Sequence, residues 1–170
     1  MKNKTTISIL VDNHAGVLSK VVGLFSRRGY NIDSLAVGET DDSAISRITI
    51  EVSGDEHSAE QIEKQLNKLI SVIKIKRLPP GEYISRMLTL FKVSFTQSRR
   101  AEIMNIAKLM NAKIVDVSQS TITLEFTDTA ERTETLEGLL RPFGIKECVR
   151  TGAIAIEKGA TVTRSKKAFK

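Results

Sequence analysis

Tryptophan is absent from the 170 residues, cysteine occurs once, histidine and tyrosine twice each, and proline three times. A single thiol, Cys148, excludes a disulfide framework and a cysteine-based zinc cage, and the expectation for it is a half-buried group on a strand. His14 and His57 fall in separate predicted loops, so a His-rich metal site would need acids gathered from several places. No apolar run approaches the roughly 18 residues that cross a bilayer. The opening MKNKTTISIL passes directly into strand-like alternation with no signal-peptide core, which predicts a cytoplasmic chain with no membrane partner. Neither G-x-x-x-x-G-K-[ST] nor G-x-G-x-x-G occurs, which argues against a conventional nucleotide site. The acid pairs Asp41-Asp42 and Asp55-Glu56 sit in predicted turns, where solvated charge is the ordinary role and paired acid–base catalysis is not indicated.

What is present is the composition of a soluble globular chain, 41% hydrophobic and 27% charged. The net charge of +6 is concentrated at one end: RSKKAFK contributes Arg164, Lys166, Lys167 and Lys170 without an acid, leaving +2 for the rest. Such a basic tail is ordinarily a solvated terminus, and its functional alternative is docking onto an acidic partner surface.

Hydrophobic periodicity supplies the architecture. TTISILVD (5–12) alternates as a half-buried strand. Val17, Leu18, Val21, Val22, Leu24 and Phe25 recur at helical spacing between Gly16 and Arg28, and Gly29 supplies a stop. Strands at 31–38 and 44–52 flank the turn-forming Glu39–Ser43. Ser58 and Gln61 form a capping-box signature before Ile62, Leu66, Leu69 and Ile70, and 71–77 closes the unit. The order is βαββαβ, the ferredoxin-like split unit, with both helices on one face of a four-stranded sheet. After PPGEYISR, read as a linker over 79–86, the order repeats: strands at 87–95, 112–118 and 121–127, helical stripes at Ile103, Ile106, Ala107, Met110 and at Leu136, Leu139, Leu140, Phe143, and a closing strand from Cys148 to Ile156. The expected fold class is therefore α+β, two ferredoxin-like domains at 1–78 and 87–158, followed by a basic tail at 159–170. The sheet face opposite the helices, assigned Leu10, Leu35 and Val37, would need a cover, which predicts at least a homodimer.

The stretch Asp12-Asn13-His14-Ala15-Gly16-Val17-Leu18 joins the first strand to the first helix. Glycine at a helix start leaves room for a ligand, and the unpaired N–H groups of the first turn, with the positive dipole end, suit a carboxylate. Asn13 is able to cap the helix or to face a ligand, and Asn31, opening the next strand, is expected at the same sheet end. Asparagine and glycine are also ordinary turn chemistry, and the residues by themselves leave both readings open.

Residues 7–55, with N-x-x-G-V-L-S (13–19), GLFSRRGYNIDSL (23–35) and S-R-I-T-I (46–50), resemble the N-terminal ACT domain of acetolactate synthase regulatory subunits. EQIEKQLNKLISVIKI (60–75) continues the likeness, and RMLTLFKV, IVDV and RTGAIAI extend it more loosely to about residue 158. The resemblance implies a chain that is not itself an enzyme and has no cofactor of its own. It implies a partner, a large catalytic subunit carrying thiamine diphosphate, Mg2+ and FAD that condenses pyruvate in branched-chain amino-acid synthesis. It further implies a homodimer of ACT domains that binds valine between two copies, with Asn13, Gly16, Val17 and Leu18 on one side and Asn31 and Ile32 on the other.

Two rival readings share the element order. An RNA-recognition sheet needs aromatics on its central strands, and TTISILVD and AISRITIEV have none. Phe91, Phe95 and Phe126 in the second unit are more simply core residues, so no nucleic-acid partner is expected. An acyl-phosphatase-like enzyme would need an arginine and an asparagine converging on phosphate; Arg27, Arg28 and Asn31 read instead as a basic helix end.

Overall fold

The computed structural model describes residues 4–54 and 56–164. The chain divides into two compact units, one built from the chain up to Ile84 together with the chain from Gly152 onward, the other from Ser85–Thr151. The first contains β1 (Lys4–Asp12), α1 (Val17–Arg27), β2 (Ile32–Glu39), β3 (Ile45–Ser53), α2 (Glu56–Leu66) and β4 (Val72–Leu78). Its sheet is antiparallel in the order β2-β3-β1-β4. The expected βαββαβ unit is thus formed, and β2 and β4 are the two edges of that four-stranded order.

Period-two alternation sends Ile7, Ile9 and Val11 of β1 and Ile48, Ile50 and Val52 of β3 to one face, where Val17, Val21, Leu24 and Phe25 of α1 and Ile62 and Leu66 of α2 meet them. Each such side chain contributes about 1.5–3 kcal/mol when fully buried. Helix α1 ends in a Schellman arrangement: Gly29 takes φ +71°, its N–H reaches Ser26 O and the Tyr30 N–H reaches Phe25 O. Helix α2 begins at Glu56, ahead of the expected Ser58 cap, because the buried stripe starts at Ala59 and needs a preceding turn. His57 consequently lies on that helix and not in a loop, and it is exposed.

The opposite sheet face departs from expectation. Leu35 pairs with Ile50 and packs into the helix-side core, and Val37, opposite Ile48, shares that side, so neither belongs to the open face. Leu10 does point away from the helices, yet it is buried with Thr6, Ser8 and Thr49. The cover comes from the same chain: residues 152–164, including β9 (Ile154–Glu157), return across this face. The Ala153 N–H donates to Ser34 Oγ at 2.7 Å, Arg47 Nη2 to the Thr163 carbonyl at 2.6 Å, and Lys76 pairs with Glu157 at 2.5 Å. Thr163 Oγ1 adds a bond to Glu157, and Tyr83 Oη meets Thr6 Oγ1 at 3.0 Å.

The second unit repeats the order with β5 (Tyr83–Ser94), α3 (Arg100–Met110), β6 (Lys113–Val117), β7 (Thr121–Asp128), α4 (Ala130–Leu140) and β8 (Ile145–Arg150) in a sheet running β6-β7-β5-β8. Phe91, Val93, Ile122, Leu124 and Phe126 pack under Ile103, Ala107, Met110, Leu136 and Leu140. Leu139, expected in that stripe, lies on the outer side of α4 and is exposed. Strand β5 begins inside the expected linker, since Tyr83 and Ile84 already alternate inward and outward; the turn proper is Pro79–Glu82, with Gly81 at φ +86°. The single closing strand expected from Cys148 to Ile156 is two strands, β8 and β9, separated around Gly152, and Cys148 is exposed, not half-buried. Of the basic tail, Arg164 is described and Lys166, Lys167 and Lys170 lie outside the described residues, as does Asp55.

Candidate functional site

Gly16 is the N-cap of α1, with φ +85° and ψ −10°, a left-handed conformation that L side chains rarely adopt. A Cβ built there meets nothing within 4 Å, so the position is open to solvent or to a ligand. Among the described residues no side chain caps α1 and no acid occupies its first turn. The Val17 N–H reaches back to His14 O at a long 3.4 Å. The first turn therefore presents main-chain donors and the positive end of the helix dipole with neither a capping side chain nor an acid of its own.

Asn13 does not cap the helix. Its Nδ2 donates to Glu39 Oε1 at 3.0 Å and to the Ser43 carbonyl at 2.8 Å, and its backbone N–H to Ala44 O. Both partners accept, so the amide must turn its NH2 toward them and present Oδ1 elsewhere, as an acceptor suited to an ammonium group. The hairpin between β2 and β3 thereby fixes the asparagine. Val17 is buried in the core, while Leu18 is exposed beside the bend. A pocket of about 230 Å3, lined by Val17, Lys20, Val21, Leu69, Ile70 and Val72, adjoins the same helix start.

Asn31 and Ile32 are not at this end of the sheet. Asp12 pairs with Ile45 at one end of β3, whereas Ile32 pairs with Val52 at the other. The expectation of a shared sheet end is therefore corrected: α1 intervenes, 11 residues or about 16 Å of helix at 1.5 Å per residue. Asn31 is exposed, and its Nδ2 donates to Asp33 Oδ1 at 2.9 Å. Within one chain the six residues fall into two groups at opposite ends of one helix.

Elsewhere the charged clusters are structural. Glu157 accepts from Lys76 and Thr163, and the ammonium of Lys76 holds its carboxyl below the usual range against the opposing effect of burial. Glu137 is likewise lowered, first by hydrogen bonds from Arg150 and then from Arg141. Among the described residues no group of three or more His, Cys, Asp or Glu side chains is arranged to hold a metal ion, and no helix is long and apolar enough to cross a membrane. Phe91 and Phe126 lie beneath the helices, away from any sheet surface able to stack bases.

A ferredoxin-like unit with an uncapped, glycine-opened helix start after β1, followed by a second unit of the same order, is the architecture of a two-domain ACT protein. Residues 7–74 match the family described as AHAS small subunit-like ACT domain, and residues 86–159 the family described as small subunit of acetolactate synthase. The chain is 46% identical over 154 residues to the acetolactate synthase small subunit of Mycolicibacterium smegmatis, covering 91% of each chain. It is 45% identical over 155 residues to the probable acetolactate synthase small subunit of Methanothermobacter thermautotrophicus, covering 91% of this chain and 92% of that one. The crystal structure of the acetolactate synthase small subunit from Thermotoga maritima superposes with a TM-score of 0.86 at 36% identity, over 94% of this chain and 99% of that one. The chain belongs to the acetolactate synthase small-subunit family.

Proposed function

We propose that the chain is the non-catalytic regulatory subunit that stimulates a thiamine-diphosphate-dependent acetolactate synthase catalytic subunit in the cytoplasm and makes it sensitive to valine. Thiamine diphosphate, Mg2+ and FAD belong to the catalytic subunit in this reading, and the regulatory chain carries none. The observation that supports it most is the helix start at Gly16, whose free donors stand beside an asparagine turned with its acceptor outward. A zwitterion requires donors for its carboxylate and an acceptor for its ammonium, and both lie within one short bend.

Because Asn31 and Ile32 stand at the far end of α1, the complete site needs a second copy. In the proposed dimer the bend of one chain meets Asn31 and Ile32 of the other, with Ile32 and Leu18 around the isopropyl group and Val17 contributing its main chain. Inhibition follows if valine prefers the dimer arrangement that activates the catalytic subunit less well, with a coupling of about 1–3 kcal/mol.

Calorimetry on two near-isosteric variants tests the site. Asparagine tolerates the left-handed region better than most residues, so Gly16→Asn carries a modest backbone cost, and Gly16→Asp adds to the same shape a negative charge facing the ligand carboxylate. Gly16→Asn is expected to weaken valine binding modestly and Gly16→Asp to abolish it. Equal binding by parent and Gly16→Asp refutes the site.

A further inference from the structure

The segment that returns across the first sheet is built inside out. Its small residues face inward, Ala153 being 3%, Ala155 7% and Thr163 5% exposed, while Ile154, Ile156 and Val162 stand outward at 63%, 59% and 57%. A half-buried strand ordinarily does the reverse, burying its branched side chains and leaving small or polar ones in water. Ile84 extends the stripe. Tyr83 turns inward to Thr6, which sends Ile84 outward, and the Lys158 N–H donates to the Glu82 carbonyl at 2.9 Å, setting the end of β9 beside the start of β5. Four branched apolar side chains thus share one outer surface, and none of them is needed to hold the segment down, since its anchors are the polar contacts to Ser34, Arg47 and Lys76.

We infer that this stripe, Ile84, Ile154, Ile156 and Val162, is the surface that docks onto the acetolactate synthase catalytic subunit, at an apolar patch flanked by acidic residues; the inference rests on the regulatory role proposed above. Charge selects the occupant. After Glu157, which is sealed against Lys76, the sequence carries Lys158, Arg164, Lys166, Lys167 and Lys170 and no acid. A two-fold contact between copies through this face would bring Lys158 and Arg164 toward their own images, whereas an acidic partner is attracted by them and by the further cations that follow Arg164 in the sequence. The hairpin acids Glu39, Asp41 and Asp42 border the same surface. They line a pocket of about 420 Å3 together with Arg47 and Arg164, which nearly balance them, and with Leu10, Ile156 and Val162, which offer an apolar side chain of the partner a seat.

The test compares the parent, an Ile154→Ser/Ile156→Ser double variant, an Ile84→Ser variant and a chain ending at Arg164. Each is titrated with the catalytic subunit of the same organism at low and high salt, and each alone is assayed for oligomeric state and for valine binding by calorimetry. Because Ile84 sits on a different strand, its variant reports on the stripe even if the double variant loosens the segment. The apolar variants are expected to weaken association by about tenfold or more. The shortened chain should weaken it at low salt with a smaller salt dependence. All three should keep parental valine binding and parental oligomeric state. Parental affinity in both apolar variants overturns the inference, as does a change in their own oligomeric state, which would make the stripe a contact between copies. If the parent itself neither binds the catalytic subunit nor alters acetolactate formation, the regulatory role has failed, and the stripe falls with it.

Discussion

Gly152→Ala adds one methyl group at the point where the chain returns over β2. A Cβ on Gly152 would lie inside van der Waals contact of the Leu35 carbonyl carbon and oxygen and 2.8 Å from the Ala36 nitrogen, all backbone atoms of a sheet edge that cannot rotate away. The crossing must lift. Forced displacement of this kind costs about 1–3 kcal/mol. The adjacent Ala153 N–H to Ser34 Oγ bond, 2.7 Å in the parent, is lost with it, adding about 1 kcal/mol. The expected loss is therefore about 2–4 kcal/mol, larger than most single substitutions produce. Thermal and urea unfolding measure the total, and hydrogen exchange over 153–163 should show it first. Gly138→Ala is the control: that glycine lies within α4, a Cβ there meets nothing within 4 Å, and alanine should stabilise by about 0.5–1 kcal/mol. A Gly152→Ala protein with the parental midpoint and parental exchange would refute the crossing.

Acid should weaken the fold in a defined direction. Glu157 and Glu137 have carboxyls held below the ordinary range by Lys76 and by Arg150 with Arg141, so the unfolded chain takes up protons first as pH falls. Their stabilisation stands in full above about pH 5 and drains as pH drops below about 4.3, the ordinary glutamate value, through the lowered native ones. Urea midpoints of Glu157→Gln and Glu137→Gln should fall below the parent at neutral pH and converge toward it in acid; parallel curves would contradict this. Thr129 caps α4 by accepting the Arg132 N–H at 3.3 Å, and Thr129→Ala is expected to cost about 1 kcal/mol in denaturant unfolding without touching valine binding.

Both βαββαβ orders were legible because strand and helix periods differ and because Gly16, Gly29 and Gly144 mark element ends where φ is positive. The bend at Asn13 to Leu18 was legible for the same local reason, as a glycine-marked helix start, although turn chemistry and ligand binding call for the same residues there. What local pattern misassigned depended on partners distant in sequence. Leu35 reads as an open-face residue until the register sets it opposite Ile50. Ile154 and Ala155 are indistinguishable in hydropathic sign, so their alternation inside one strand conceals which of them faces the sheet.

The sequence alone determined the kind and order of the elements in each βαββαβ unit, the family, and a glycine-opened helix start with no acid in its first turn, since each rests on residues within a turn or two of one another. Tertiary structure alone decided that Asn13 spends its amide hydrogens on a hairpin, that Asn31 and Ile32 lie a helix length from Gly16, and that residues 152–164 cover the chain's own first sheet. Those outcomes turn on strand register and on contacts spanning up to 119 positions, such as Ser34 with Ala153, which no local periodicity encodes.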